Sequence, residues 1–389
     1  FFIAVTVVRV LAHAALVATF AWLWADTGWL SATAFFATYA VCCLTSSAAH
    51  VTFMDMTGRL IPPNRIGTFF SIRALLGSVL GIVGGFLVVQ PLLGGLPLPT
   101  NYMLVAGIGV ALIAIDMSTW SRCREEPGAR ARRRATFGES LRRGVYWLRT
   151  SRNYRLFFWV RLAFRFAYLQ LAFVVVFGQQ RLPGAGDAAA VGLLGGIMVG
   201  ILRASGVASS ALWGPVVDRY GARAAVIAAG ALLMLAPAML LTAPLLPTAF
   251  AVRLPLVPVP LNLPICVYLL ALVPMEAGFR AQILGTHRFL ITSAPPERRG
   301  SYVGFLSTAT SPLTLLPLAG AWLAGIARPL GWLPLVGPWL ENLTGLAVLM
   351  LAAAAGGLLI LLAALRLSPR AEADGAADLQ AAGDLDDGP

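Results

Sequence analysis

The sequence predicts an all-α membrane protein with about ten transmembrane helices. Hydrophobic residues make up 58% of its 389 residues and charged residues only 12%, about half the charged fraction of a soluble domain. Apolar runs of about 20 residues recur along the chain, and a run of that length crosses the hydrocarbon core as a helix. Helices are expected because they pair every backbone polar group within the segment, whereas a membrane β-barrel would show alternating segments of about ten residues.

The ten expected spans are separated by short links. They fall at about 1–24, 29–54, 67–93, 101–121, 155–180, 187–213, 222–246, 262–290, 300–327 and 340–366. Basic residues concentrate in alternate links, whereas the links on the opposite side carry few. Because basic loops stay in the cytoplasm, we expect a bacterial inner-membrane protein whose central loop and C-terminus are cytoplasmic. The net charge of +12 is then a topology signal, and no nucleic-acid partner is expected.

The chain divides into two helical halves joined by a basic linker. Residues 1–121 hold four spans, 154–367 hold six, and 122–153 form a cytoplasmic linker. The second part of the linker carries Phe137, Leu141, Val145 and Leu148 at helical spacing, with arginines elsewhere. This pattern predicts an amphipathic helix at the membrane surface. Residues 368–389 are rich in Ala, Gly and Asp, a composition typical of a disordered tail.

A short charged link joins the spans at 187–213 and 222–246. Its residues, Gly214 to Arg223, read Gly-Pro-Val-Val-Asp-Arg-Tyr-Gly-Ala-Arg. A link this short makes the flanking helices antiparallel neighbours and places Asp218 and Arg219 at the membrane surface. The spelling resembles the signature of the major facilitator superfamily, Gly-x-x-x-Asp-Arg-x-Gly followed by a basic pair, although Ala222 stands where a second basic residue is common.

That resemblance implies a twelve-helix bundle that works by alternating access between two halves. The signature joins the second and third helices of each half and forms a conformational latch, here the residues Gly214, Asp218, Arg219, Gly221 and Arg223. Asp218 can then lie near the N-terminus of the span that begins at Gly300, where the helix dipole favours an anion. The alternative is a plain solvated turn.

A sequence repeat supports the two-half design. Arg59-Leu-Ile-Pro-Pro-Asn-Arg-Ile-Gly67 and Thr292-Ser-Ala-Pro-Pro-Glu-Arg-Arg-Gly300 each precede an apolar span. Proline cannot continue a helix, so each Pro-Pro pair is expected to end one span, and the following glycine opens the next. The acid that would match Asp218 in the first half falls ahead of residue 1. We therefore expect helices 3–12 of twelve, with two helices preceding Phe1.

Several ionisable residues lie deep in the spans, where they are costly and mark functional sites. Glu276 and Arg280 share a helix face at i, i+4 spacing, and Arg161, Arg165 and Tyr168 share another. The remaining candidates lie singly within other spans, and they are Arg73, Arg203 and His50. The family resemblance implies that spans 29–54, 155–180 and 262–290, as helices four, seven and ten, line a central cavity.

An arginine-rich cavity favours a small anionic or carboxylate-bearing substrate, since guanidinium binds oxyanions bidentately. Glu276 is the candidate for coupling to protons, unless Arg280 keeps it ionised. Two structural alternatives stay open: Glu276 and Arg280 form a pair that locks two helices, and Arg161 snorkels to the interface.

The sequence shows no metal cluster, nucleophile triad or phosphate loop. His13, His50 and His287 stand apart from one another, and the chain has no lysine. We therefore expect a secondary active transporter, not an enzyme, that needs no cofactor and acts as a monomer in the bilayer on a small solute, with protons as the candidate coupling ion. The alternatives are a non-transporting or lipid-translocating member of the same fold and a polytopic lipid-modifying enzyme.

Overall fold

The described residues of the computed structural model are helical almost throughout. They comprise 2–26, 28–97, 99–122, 137–182, 188–248, 251–252, 261–294, 299–324 and 345–368. Thirteen α-helices occur among them: α1 Phe2–Ala25, α2 Trp29–Leu60, α3 Ile66–Gly84, α4 Gln90–Gly95, α5 Thr100–Ser121, α6 Phe137–Thr150, α7 Arg152–Ala167, α8 Leu169–Arg181, α9 Ala188–Thr242, α10 Leu263–Thr292, α11 Arg299–Thr310, α12 Leu316–Ala324 and α13 Gly345–Leu365.

The remaining elements are short and lie next to helices. The strands β1 Ala251–Val252 and β2 Leu261–Asn262 pair antiparallel. Short 3₁₀ turns cover Pro63–Arg65, Ala243–Leu245 and Ser311–Leu315, and Gly85–Val89 is a π-turn between α3 and α4. The first Pro-Pro pair lies between α2 and α3 as predicted, whereas Pro295 and Pro296 lie outside the described residues, as do most of the linker's tether and the tail.

The helices are long and apolar enough to make this an integral membrane protein. Eight helical stretches of the described chain meet both criteria for a membrane span. Two differences from the ten expected spans have local causes. The two spans that flank Asp218 follow each other without a loop, and the span expected at 300–327 is split by a 3₁₀ turn containing Pro312, which cannot donate to a helical ladder.

The helical run of α9 reverses direction at Gly221, where the backbone has φ 80° and ψ 177°. This is a conformation that glycine adopts readily. Along α10, the contacts with α9 run from Gly206 to Asp218 before the break and from Leu233 back to Ala222 after it. The two arms of α9 are therefore antiparallel, as the short link predicts.

Small residues let the backbones of the second half approach closely. A Cβ on Gly230 would lie 2.5 Å from the backbone nitrogen of Leu361 on α13. A Cβ on Gly356 would lie 2.6 Å from the backbone nitrogen of Ala167, so α13 also packs tightly on α7. Close approach through small residues is how membrane helices associate without a hydrophobic driving force.

Contacts between residues divide the chain into two compact units. One comprises Phe1–Pro62, Val79–Ala135 and Pro296–Gly304, and the other comprises Pro63–Ser78, Thr136–Pro295 and Phe305–Pro389. The first part of α3 belongs to the larger, second unit because it packs on α9. The division into halves at 1–121 and 154–367 stays a prediction.

The predicted amphipathic helix of the linker is α6. Its buried face carries Gly144 and Trp147, and Trp147 packs edge-on against Tyr154 at 6.0 Å. Leu141 and Val145 lie on an adjacent, exposed face. An apolar stripe left exposed beside arginines is what a helix lying on a membrane surface presents to lipid.

Candidate functional site

A cavity of about 380 Å³ lies among α3, α9 and α10, within the larger unit. Its polar lining consists of Arg73, Ser78, Arg203, Arg280 and His287. Its apolar lining consists of Phe70, Ala74, Gly77, Ile283 and Leu284. Three of the predicted candidates, Arg73, Arg203 and Arg280, therefore come together from three different helices.

Helical periodicity explains why α3 and α10 each give the cavity one stripe of residues. On α3 the lining residues recur every three or four positions from Phe70 to Ser78, and on α10 they recur in the same way from Arg280 to His287. Residues at this spacing lie on one face of a helix. Phe70 and His287 meet where the two stripes face each other, with ring centroids 4.3 Å apart.

Glu276 and Arg280 form the ion pair that their spacing predicts. Arg280 Nε donates to Glu276 Oε1 at 2.7 Å, and the two side chains are 21% and 14% exposed, respectively. Arg280 Nη2 also lies 3.5 Å from Ser78 Oγ on α3. A Cβ on Gly206 would lie 3.0 Å from Glu276 Oε1, so the pair rests against α9 and links α10 to both neighbours.

The cavity is a strongly positive site. Three guanidinium groups and one imidazole line it, and no carboxylate is among the lining residues that the structure describes. Glu276, one turn before Arg280 on α10, is paired with that arginine. Guanidinium groups in a partly dehydrated pocket bind carboxylate and phosphate oxygens through charge-assisted hydrogen bonds. The lining can therefore hold a small anion.

The other predicted candidates lie elsewhere. Arg161 and Arg165 are on α7, and Tyr168 lies between α7 and α8. All three lie outside this lining, and the Tyr168 ring lies 5.3 Å from that of Phe279 on α10. His50 is half-buried in α2 of the smaller unit. Their assignment to a substrate site stays a prediction.

Asp218 caps α3. Its Oδ1 accepts the backbone N–H of Gly67 at 2.7 Å, and its Oδ2 accepts the backbone N–H of Thr68 at 2.7 Å and the Thr68 hydroxyl at 2.5 Å. The expected place beside the helix that begins near Gly300 is therefore wrong. The physical argument holds for the other helix: the unpaired N–H groups and dipole of a helix N-terminus stabilise a carboxylate.

Glycines make this contact possible. A Cβ on Gly67 would lie 2.7 Å from both Asp218 Oδ1 and the Gly214 carbonyl oxygen. A Cβ on Gly214 would lie 2.5 Å from Ser71 Cβ, and the Ser71 hydroxyl donates to the Ser210 carbonyl. Gly214, the first glycine of the predicted latch motif, thus serves close packing of α9 on α3.

The remaining residues of the motif have separate partners. Arg223 Nη2 donates to the Leu365 carbonyl at 3.2 Å, at the C-terminus of α13, where the helix dipole favours a cation. The Arg219 guanidinium lies 5.3 Å from the centroid of the adjacent Tyr220 ring. Gly221 provides the reversal between the two arms of α9.

Sequence reasoning missed Arg288 on α10. Its Nη1 lies 3.5 Å from Asp218 Oδ1, and both side chains are 13% exposed. Arg288 falls at the end of the predicted span 262–290, where a basic residue fits any cytoplasmic helix end, so no sequence pattern distinguishes it. His287 was also missed, because no other metal-ligating residue lies near it in the sequence, whereas in the structure it lines the cavity together with three arginines.

Two further charges in the smaller unit were missed. Arg9, half-buried in α1, places Nη1 3.7 Å from the Met117 sulfur on α5. The neighbouring Asp116 is exposed on the same helix. Both lie well inside predicted spans, so the rule that intramembrane charges mark functional sites could have found them.

Comparison with known proteins supports the fold through structural similarity and not through sequence similarity. The sequence matches no model of a known protein family and no functionally curated protein. Among solved structures, a bacterial homologue of the iron transporter ferroportin in an outward-facing state matches with a TM-score of 0.62 and 18% identity over 94% of this chain and 83% of that chain. The fucose:proton symporter of E. coli matches with a TM-score of 0.54 and 14% identity over 94% and 83%.

Both matched structures are major facilitator transporters. The chain therefore has the all-α bundle fold of the major facilitator type, which confirms the fold predicted from the sequence.

Proposed function

We propose that this protein is a secondary active transporter that moves a small anionic solute by alternating access. The observation that carries the proposal is the cavity with three arginines contributed by α3, α9 and α10. Charged groups within membrane helices are costly and mark substrate or ion pathways. Their convergence from three helices on one cavity supports a binding site better than three separate snorkelling residues.

The size of the cavity favours a small solute. Its volume of about 380 Å³ is at the lower end of the range for small-molecule sites, roughly 300–1,000 Å³. Phe70, Ile283 and Leu284 provide an apolar wall beside the charged groups. We therefore expect an anion with a compact apolar portion, such as a carboxylate or a phosphate ester.

The names of the two matched transporters suggest other substrates, which this lining disfavours. A bare metal cation would meet three positive side chains and no lining carboxylate among the described residues. A neutral sugar such as fucose has no charge that would compensate three guanidinium groups placed in the membrane. The anion is therefore the substrate class that the charges support.

Proton coupling follows if an anion and Glu276 compete for Arg280. In the structure Arg280 donates to Glu276 at 2.7 Å. An anion that takes over this guanidinium leaves Glu276 without its counter-ion, and a buried carboxylate without a counter-ion gains from binding a proton. Glu276→Gln should therefore transport the anion without a response to a pH gradient. A flux in E276Q that responds to the gradient as in the unaltered chain contradicts this coupling.

The Asp218 contact supports the alternating step. A carboxylate that holds the N-terminus of α3 stabilises one arrangement of α3 and α9, and its release allows the other. We propose that Asp218, with Arg288, is the latch of this transporter. We also propose the bacterial inner membrane as its location and a monomer as its functional unit. The basic loops then lie in the cytoplasm, as the charge pattern of the sequence predicts.

The test is uptake by the full chain reconstituted in liposomes. The labelled probes are a small dicarboxylate, a sugar phosphate, fucose, iron(II) and a fluorescent phospholipid, each with and without a pH gradient. We expect uptake of an anion and a loss of about 10- to 100-fold in Arg203→Gln, because a hydrogen bond to a charged group contributes about 1.5–3 kcal/mol. Arg122→Gln, at the exposed end of α5, is the matched control.

Three results would contradict the proposal. Transport of fucose or iron(II) without transport of any anion refutes the substrate class. Equal anion uptake by R203Q and R122Q shows that the cavity does not lie on the transport pathway. Translocation of the phospholipid alone supports the lipid-translocating alternative.

A further inference from the structure

A second, apolar groove runs between α7 and α13 in the larger unit. Its volume is about 360 Å³. On α7 it is lined by Leu156, Trp159, Leu162, Ala163 and Phe166. On the other side it is lined by Leu359, Leu362 and Ala363 of α13 and by Arg366, which follows α13. We propose that this groove binds an anionic phospholipid, with an acyl chain between the helices and the phosphate at Arg366.

The shape of the groove follows from how the two helices pack. They are antiparallel, since Gly356 contacts Ala163 and Ala167 while Ser368 hydrogen-bonds to Asn153. Gly356 brings the backbones together at one end, where a Cβ would lie 2.6 Å from the Ala167 nitrogen. From Gly356 to Arg366 the helix rises roughly 15 Å, which is the length of much of an acyl chain.

The walls are suited to hydrocarbon. Trp159 is 53% exposed, and Leu359 and Leu362 are 55% and 46% exposed, although all three lie in predicted membrane spans. The small side chains of Ala163 and Ala363 leave room for an acyl chain between the two helices. Apolar side chains left open along a membrane span are covered by lipid tails.

Positive charge gathers at one end of the groove. Arg366 is exposed and lines it, Arg152 Nη2 lies 3.5 Å from the Arg366 carbonyl oxygen, and Arg223 donates to the Leu365 carbonyl. Arg366 follows the last predicted span, in a link that the sequence predicts to be cytoplasmic. Arg366, the arginine that lines the groove, complements an anionic phosphate at the headgroup level, whereas a zwitterionic headgroup would add its own positive charge beside it. Charge complementarity therefore selects an anionic lipid as the occupant.

Trp159 provides a direct probe of the acyl chain. The full chain is reconstituted in phosphatidylcholine vesicles containing increasing fractions of phosphatidylglycerol or phosphatidylcholine with brominated acyl chains, which quench tryptophan fluorescence on contact. The chain has ten tryptophans, so the signal of Trp159 is the difference between the unaltered chain and Trp159→Phe. We expect half-maximal quenching of Trp159 at an about fivefold lower fraction of the anionic lipid, the preference expected for one arginine near the membrane surface.

Arg366→Gln should remove this fivefold preference while neutral brominated lipid still quenches Trp159. Arg122→Gln, an arginine at another helix end, should keep it. Equal quenching of Trp159 by both lipids, or equal effects of R366Q and R122Q, overturns the proposal. So does quenching of Trp159 that is absent in the full chain and appears only in a chain shortened after Ser368, because the tail would then be the occupant. The test does not involve transport, so it is independent of the proposed substrate.

Discussion

Asp218→Asn isolates the contribution of one carboxylate to the contact between α9 and α3. The carboxylate accepts two backbone N–H groups and one hydroxyl, and Arg288 lies at 3.5 Å. Asparagine keeps one acceptor oxygen but loses the charge. A hydrogen bond to a charged group contributes about 1.5–3 kcal/mol and an N-cap about 1 kcal/mol. We take about 2 kcal/mol as the loss, which shifts a two-state equilibrium about 30-fold.

The assay is the alkylation rate of a single cysteine in the cavity. All native cysteines are replaced, Ser78 is changed to cysteine, and a membrane-impermeant maleimide is applied from the side of the basic loops. If Asp218 holds that side closed, the reaction should be faster in D218N by up to about 30-fold. Asp55→Asn is the control, because Asp55 is an acid of another helix whose Oδ2 forms an exposed ion pair with Arg59 at 2.7 Å.

A second variant separates a broken contact from a misfolded chain. Gly67→Ala leaves Asp218 intact but places a Cβ 2.7 Å from its carboxylate oxygen and from the Gly214 carbonyl oxygen. It should therefore accelerate alkylation in the same direction as D218N. If D218N reacts at the rate of D55N, or if G67A and D218N act in opposite directions, the latch interpretation is refuted.

Two further predictions concern stability. Gly230→Ala should lower the thermal unfolding temperature by an amount corresponding to about 1–3 kcal/mol, since its Cβ would meet the Leu361 backbone at 2.5 Å. Gly81→Ala is the control and should not destabilise the protein, because no atom lies within 4 Å of its Cβ position. Equal effects of the two substitutions would contradict the close packing of α9 on α13. Tyr268→Phe removes the hydroxyl that donates to the Val174 carbonyl at 2.7 Å and should cost about 1 kcal/mol in the same assay, whereas an unchanged unfolding temperature would show that this hydrogen bond contributes nothing.

The elements of the fold could be predicted because they depend on local physics. The length of the apolar runs predicted the spans, and Pro62 and Pro63 marked the boundary between α2 and α3. The short link from Gly214 to Arg223 predicted the reversal within α9, which the structure places at Gly221. The ion pair of Glu276 and Arg280 was predictable for the same reason, since i, i+4 spacing fixes the distance within one helix.

Contacts between helices could not be predicted in this way. Asp218 needed a helix N-terminus, and the sequence repeat offers two equivalent ones, at Gly67 and Gly300. Both follow a basic residue and open an apolar span, so nothing local distinguishes them. The structure pairs Asp218 with the first. The choice depends on which backbones approach each other, and the glycines and serines that allow the approach look alike in both segments.

The cavity and the latch are joined through α10. His287 lines the cavity, and Arg288, the next residue, contacts Asp218. Successive residues of a helix point about 100° apart, so these neighbours face different partners while sharing one rigid backbone. A rotation of α10 that brings Arg280 and His287 onto an anion also moves Arg288 relative to Asp218. In the proposed transporter, anion binding is therefore coupled to release of the Asp218 contact through the adjacent residues 287 and 288 of one helix.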